Sequence, residues 1–233
     1  ISDLLRVIFS LLSFFVAVCL GIKVFYWVVS LYKGSIEVTA PMLYVLLFIF
    51  IFSIGGLTGL SLGALNTDLH LTDTYFVVGH FHYVMFGGMG IIFFAALHYW
   101  FPKMFGKMYN EKVAKTAAVW IAIGFNMLYF PMFIMGYLGQ PRRYYDYLPE
   151  FQIYHLISTI GSWILVAGIL LMFGNLFKAW LSGKKTTEKN PWGGETLEWT
   201  TDTPPIHENF IDIPTVHAAP YEYKQNEIDT LKN

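Results

Sequence analysis

Residues 72–85 read Thr72-Asp73-Thr74-Tyr75-Phe76-Val77-Val78-Gly79-His80-Phe81-His82-Tyr83-Val84-Met85. They open a predominantly apolar stretch, about 73–99, that shows no alternation of period two. About 20 apolar residues in helical form cross the roughly 30 Å hydrocarbon layer of a bilayer, so the stretch reads as a membrane helix. Two histidines lie near its start. In an α-helix two positions correspond to about 200° of rotation, so the imidazoles project from nearly opposite faces. They cannot share one metal ion, which needs a spacing of three or four. Spacing alone leaves two readings open: ligands to two cofactors flanking the helix, or two histidines hydrogen-bonded to neighbouring helices.

Four more spans of this kind follow outward from it, at about 4–32, 41–65, 113–138 and 151–181. The expected fold is all-α, a polytopic bundle of five transmembrane helices over residues 1–183. A polar tail over 184–233 carries several prolines and the charges Lys184, Lys185, Lys189, Glu195, Glu198, Asp202, Glu208 and Asp212. Of the 233 residues 55% are hydrophobic and 13% charged, with mean hydropathy +0.50. That balance excludes a disordered chain and a disulfide-stapled module, and a net charge of −1 implies no nucleic-acid partner. The single cysteine, Cys19, excludes an internal disulfide, and iron–sulfur or zinc-ribbon sites built from this chain alone. With no initiator Met, basic n-region or cleavage site, the beginning reads as an interior stretch: a processed chain, half of a split polypeptide, or part of a longer one.

Basic residues set the expected orientation. Lys33, then Lys103, Lys107, Lys112 and Lys115, then Lys178, Lys184, Lys185 and Lys189 fall on one side if every span crosses, against Arg6, Arg142 and Arg143 on the other. The loop after the third span and the tail are therefore expected in the cytoplasm or matrix. Arg142 and Arg143 run against that bias, and paired guanidiniums placed there point to a bound anion. Ionisable groups inside spans are costly and informative. Lys23 sits too deep for easy snorkelling. His98 and His155 read as interfacial or hydrogen-bonded histidines.

The segment 72–85 resembles the central signature of subunit I of the haem–copper oxidases. Further stretches are similar and in the same order: Gly21-Ile22-Lys23-Val24-Phe25-Tyr26-Trp27, Ile54-Gly55-Gly56-Leu57-Thr58-Gly59, Phe101-Pro102-Lys103-Met104, Gly139-Gln140-Pro141-Arg142-Arg143-Tyr144, Pro191-Trp192-Gly193-Gly194 and Leu197-Glu198-Trp199. The resemblance covers all but the last twenty or so residues and corresponds to helices eight to twelve, the carboxy-terminal half of a twelve-helix core, in the cytochrome c oxidase (aa3-like) branch.

The resemblance implies a role for each residue. His80 would ligate the iron of a high-spin haem and His82 that of a low-spin haem, with Phe81 between the two. Arg142 and Arg143 would hold haem propionates, Lys23 would belong to a proton path, and Asp73 would lie near a magnesium region. The haems would be of the a type, and copper would be held by a partner chain. The implied partners are the amino-terminal half of subunit I, subunits II and III, cytochrome c or quinol as donor, oxygen, and the lipid of a bacterial or mitochondrial inner membrane. The implied reaction is reduction of oxygen to water coupled to proton translocation. A quinol oxidase of the same superfamily and a non-catalytic membrane bundle are the alternatives. Two positions depart from the pattern. Thr72 stands where most members have a magnesium-binding histidine, which His70 replaces poorly. Cys19-Leu20 replaces a Pro-Thr pair whose hydroxyl serves the lysine path.

One consequence concerns partners. A six-coordinate haem needs a second axial ligand and copper about three imidazoles. His98 lies 16 residues beyond His82, roughly 24 Å along a helix, His155 has no ligand-like context, and His207 and His217 fall in the tail. The remaining ligands are therefore expected on a partner chain, which the resemblance implies to be a histidine-rich membrane chain of about seven spans.

Overall fold

The computed structural model describes residues 2–186, 188–194 and 196–215; Glu195 and His217 lie outside the described residues. Helix α1 runs Asp3–Leu31, α2 Ala40–Gly63, α3 Leu65–Leu71, α4 Tyr75–Val84, α5 Ile91–Phe105, α6 Glu111–Tyr137 and α7 Gln152–Ser182. A π-helical turn, Met85–Gly90, joins α4 to α5 without a break. Two-residue strands β1 (Lys107–Met108) and β2 (Lys184–Lys185) pair antiparallel. Five helical segments are long and apolar enough to span a membrane: Asp3–Leu31, Ala40–Gly63, Tyr75–Phe105, Glu111–Tyr137 and Pro149–Ser182. The chain is an all-α integral membrane chain, as the apolar runs predict.

The third span extends six residues past its expected end at 99. Pro102 lies inside the helix, forfeiting one backbone hydrogen bond, and the helix then closes with Gly106 N–H donating to Pro102 O (2.8 Å). Gly106 has φ +62, the left-handed conformation that ends many helices. The π turn was also unforeseen, although its sequence, Met85-Phe86-Gly87-Gly88-Met89-Gly90, carries three glycines.

The described residues fall into two compact units: those up to Ala96 together with Glu111–Gly174, and Leu97–Asn110 together with those from Asn175 onward. In the first, helices approach closely where glycine removes the side chain. A Cβ on Gly136 of α6 would strike the backbone of Phe76 on α4, and one on Gly124 the backbone of Leu165 on α7. Lipid tails are as apolar as the helix faces, so such close packing and interhelical hydrogen bonds, rather than hydrophobic burial, hold membrane helices together. The fully buried Tyr83 stands between α4 and α6, its hydroxyl donating to Asn126 Oδ1 (2.8 Å) and its ring edge-on to Phe125 at 4.9 Å. Helix α1 buries none of its residues; Ser10 ties it to α2 by donating to Gly63 O (2.6 Å).

In the second unit the tail returns onto the end of α5. Trp192 Nε1 donates to Tyr99 O and Trp199 Nε1 to Tyr99 Oη, both at 2.8 Å. The buried Lys103 Nζ donates to Thr201 O (2.9 Å) and Thr203 Oγ1 (3.0 Å) and lies 5.4 Å from the Trp199 ring centroid. The tail motifs Pro191–Gly194 and Leu197–Trp199 therefore act as a staple of indoles on one tyrosine. At the tail surface the Lys189 ammonium beside Asp202 holds that carboxyl below its ordinary range.

Candidate haem-binding site

Thr74 caps α4: its hydroxyl accepts from Phe76 N–H (3.2 Å) and donates to Leu71 O (2.7 Å). The helix that follows presents His80 to α2 and His82 to α6, the opposite-face arrangement required by a spacing of two. On the α2 side, His80 Nδ1 lies 3.1 Å from Gly55 O and 3.2 Å from Thr58 Oγ1. On the α6 side, His82 Nδ1 lies 2.8 Å from Val78 O, and its ring stacks on Tyr129 at 4.2 Å and 18°. Phe81 stacks on His82 at 4.4 Å and 30°.

Both histidines share one chemical feature. A carbonyl oxygen can only accept, so each Nδ1 carries its proton toward a backbone carbonyl, leaving the Nε2 lone pair available. A second partner that fixes the tautomer in this way is the usual support of an imidazole metal ligand. His80 also lines a cavity of about 590 Å³ between α1 and α2, bordered by Ala17, Leu20, Val24, Phe52 and Gly56 among others. The cavity wall is apolar, as a porphyrin face requires. The chemistry of these residues fits haem iron: each imidazole would offer one nitrogen, on two sides of one helix.

Asp73, Arg142 and Arg143 come together although the arginines are 69 and 70 positions further on. The loop after α6 docks on the start of α4: Tyr75 N–H donates to Gln140 O (3.0 Å), Arg142 N–H donates to Asp73 O (2.8 Å), and Thr74 bridges Pro141. Asp73 Oδ1 lies 3.7 Å from Arg142 Nε and 3.6 Å from Arg143 Nη1. Both Asp73 (φ 57) and Arg143 (φ 69) take the left-handed backbone, at a cost of roughly 1–2 kcal/mol each. Part of the anion expected opposite the arginines is thus Asp73 itself. Two guanidiniums against one carboxylate leave a net positive charge for another. Burial, and then the Asp73 charge, push the nearby Asp68 carboxyl above its ordinary range.

Asp73 is taken up by the arginines, Thr72 and His70 are exposed, and among the described residues no three His, Cys, Asp or Glu side chains converge. Lys23 is exposed on α1 and, unlike its neighbours Gly21 and Val24, does not line the cavity beside His80. The buried His98 packs edge-on to Tyr109 at 4.9 Å, and His155 meets Gln140. His207 is at the surface beside Glu208.

Thr58, Tyr129 and the Gly55 carbonyl are partners that sequence reasoning missed. The stretch 54–59 stands out in the sequence as a motif but carries no sign that it faces His80. Tyr129 sits in an apolar run that gives no sign of its neighbour.

The same fold occurs in a structure of a haem–copper terminal oxidase dimer solved by cryo-electron microscopy, with TM-score 0.69 and 25% identity over 80% of this chain and 39% of that one. The class is therefore a membrane helix bundle of the haem–copper oxidase kind. Residues 1–164 match the family model described as cytochrome c and quinol oxidase polypeptide I. The chain belongs to this subunit I family. It is 41% identical over 219 residues to cytochrome c oxidase subunit 1 of Thermostichus vulcanus and to that of Synechocystis sp., covering 94% of this chain. It is also 41% identical over 213 residues to a probable cytochrome c oxidase subunit 1-alpha of Streptomyces coelicolor. The chain spans about 40% of the length of the first two.

Proposed function

We propose that this chain is the haem-ligating carboxy-terminal part of the catalytic subunit of a terminal respiratory oxidase, which reduces oxygen to water and moves protons across the membrane. The observation that carries the reading is the pair of imidazoles on opposite faces of α4, each with Nδ1 fixed on a backbone carbonyl. When bound, the haems and copper supply electron transfer and oxygen chemistry. The protein's own part is to position and insulate. His80, oriented by Gly55 and Thr58, offers Nε2 to a high-spin haem of the a type. His82, oriented by Val78 and Tyr129, offers Nε2 to a low-spin haem. Phe81 is covalently fixed between these two ligands. Arg142 and Arg143, spread by Asp73, hold haem carboxylates in bidentate fashion, which a lysine would do poorly. Lys23, a charged amine in a span, passes protons toward the site through water or a partner's side chain.

Residues 1–183 form the five-span half and 184–233 the polar tail. The copper ligands and the second low-spin haem ligand come from the amino-terminal half of subunit I, with subunits II and III completing a complex in a bacterial or mitochondrial inner membrane. The electron donor is cytochrome c; the family model also embraces quinol oxidases, so quinol is the second reading. The purified complex tests both. Reduced optical spectra should contain two haem signals, one of which responds to carbon monoxide, and oxygen uptake should follow reduced cytochrome c. Uptake with quinol alone would select the second reading, and a complex without haem absorbance would refute both.

A further inference from the structure

The loop that carries Arg142 and Arg143 is tied at both ends to one side chain, His155, in the first turn of α7. On one side of the arginines, the buried Gln140 side chain meets His155: Gln140 Nε2 lies 2.8 Å and Gln140 Oε1 3.2 Å from His155 Nε2. On the other side, the Tyr147 ring stacks on the same imidazole at 4.0 Å and 30°. The Tyr75 ring, at the start of α4, packs edge-on against it at 5.5 Å and 88°. One imidazole therefore touches both ends of the eight-residue stretch 140–147 and the helix that carries His80 and His82. The stretch needs such an anchor. Arg143 holds a left-handed backbone, and Tyr144 and Tyr145 are exposed, Tyr145 fully so. Loop ends left unpinned would let the guanidiniums explore many geometries, and bidentate recognition of a carboxylate depends on a fixed one.

From this geometry we infer that His155 is a positioning residue for the arginine pair, closing the 140–147 loop through a hydrogen bond at one end and a ring stack at the other. Its consequence for haem rests on the reading of Arg142 and Arg143 as carboxylate holders; its consequence for the loop does not.

The experiment uses the assembled complex with three replacements at one position. His155→Gln keeps a polar group where Nε2 lies and so retains the Gln140 end. His155→Phe keeps a ring for Tyr147 but loses the hydrogen bond. His155→Leu loses both. Amide hydrogen exchange over 138–148 should rise about three- to tenfold in the Leu variant, as expected for one lost hydrogen bond with its packing. It should rise mainly near Gln140 in the Phe variant and mainly near Tyr147 in the Gln variant. If the Leu variant does not assemble, the Gln and Phe variants carry the test by the end at which each one opens. Unchanged exchange in all assembled variants overturns the inference. The haem reduction potential is read alongside, with Arg142→Gln and the Arg142→Gln, His155→Leu double variant. A His155→Leu shift that is absent on the Arg142→Gln background shows action through the arginine. Faster loop exchange with potentials unmoved in every variant, Arg142→Gln included, keeps His155 as the loop anchor and sinks the carboxylate reading. A potential shift in Arg142→Gln together with wild-type exchange in the His155 variants does the reverse.

Discussion

Gly59→Ala tests whether the setting of His80 by α2 matters to the haem it holds. A Cβ at Gly59 would come within 2.9 Å of His80 Cε1. Carbon atoms rest at about 3.5 Å or more, so the ring must yield by roughly half an ångström. The ring has little freedom to do so, because its Nδ1 is held 3.1 Å from Gly55 O and 3.2 Å from Thr58 Oγ1. A shift of that size carries the Gly55 contact beyond hydrogen-bond range. Loss of such a supporting partner typically weakens metal binding about ten- to hundredfold. Helix stability itself should hold, since alanine is favoured over glycine by about 1 kcal/mol in a helix interior. The assay is the carbon monoxide difference spectrum of the purified complex, normalised to the low-spin haem band. The carbon monoxide signal should fall while the low-spin band is kept, because His82 faces α6. Gly174→Ala, where a Cβ meets nothing within 4 Å, should change neither signal. Full carbon monoxide binding in Gly59→Ala would refute the claim that α2 sets the His80 ring. Equal loss of both bands would refute the separation of the two faces.

Other outcomes follow from the same geometry. Tyr83→Phe removes the hydroxyl that donates to Asn126 and should cost about 0.6–1.7 kcal/mol, measured as a lower unfolding midpoint in detergent with both haem bands unchanged. Lys23→Met should slow haem reduction and turnover with assembly intact, seen by stopped-flow spectroscopy; normal turnover would mean that the Cys19-Leu20 context marks a path out of use. Arg142→Gln should shift a haem reduction potential in a redox titration without loss of the fold. Trp199→Phe removes the bond to Tyr99 Oη and should speed limited proteolysis of the tail with little change in either haem band.

The spans were legible because apolar length alone reports them, and four of the five ended within two residues of expectation. The third did not, because the helix absorbs Pro102 beyond the apolar run and ends only where Gly106 closes it. The opposite faces of His80 and His82 were legible from the rotation per residue, which a single helix dictates. What faces each of them was not, since Gly55, Thr58 and Tyr129 belong to other helices, and spacing within one helix says nothing about its neighbours. The same limit hid Asp73 from Arg142 and Arg143. Their charge announced an anion, while a pairing across some seventy residues leaves no local trace. His155 read as an interfacial histidine; only its placement between Gln140 and Tyr147 gives it a task. Depth within a span likewise marked Lys23 but could not show that it stands outside the cavity beside His80.

Single replacements in the purified complex test whether His80 and His82 serve two different haems. Reduced and carbon monoxide difference spectra are recorded for His80→Ala and His82→Ala. His82→Ala should lose the low-spin haem band, and His80→Ala should lose carbon monoxide binding but keep much of the low-spin band. Loss of the same single feature in both variants would contradict the assignment to two haems.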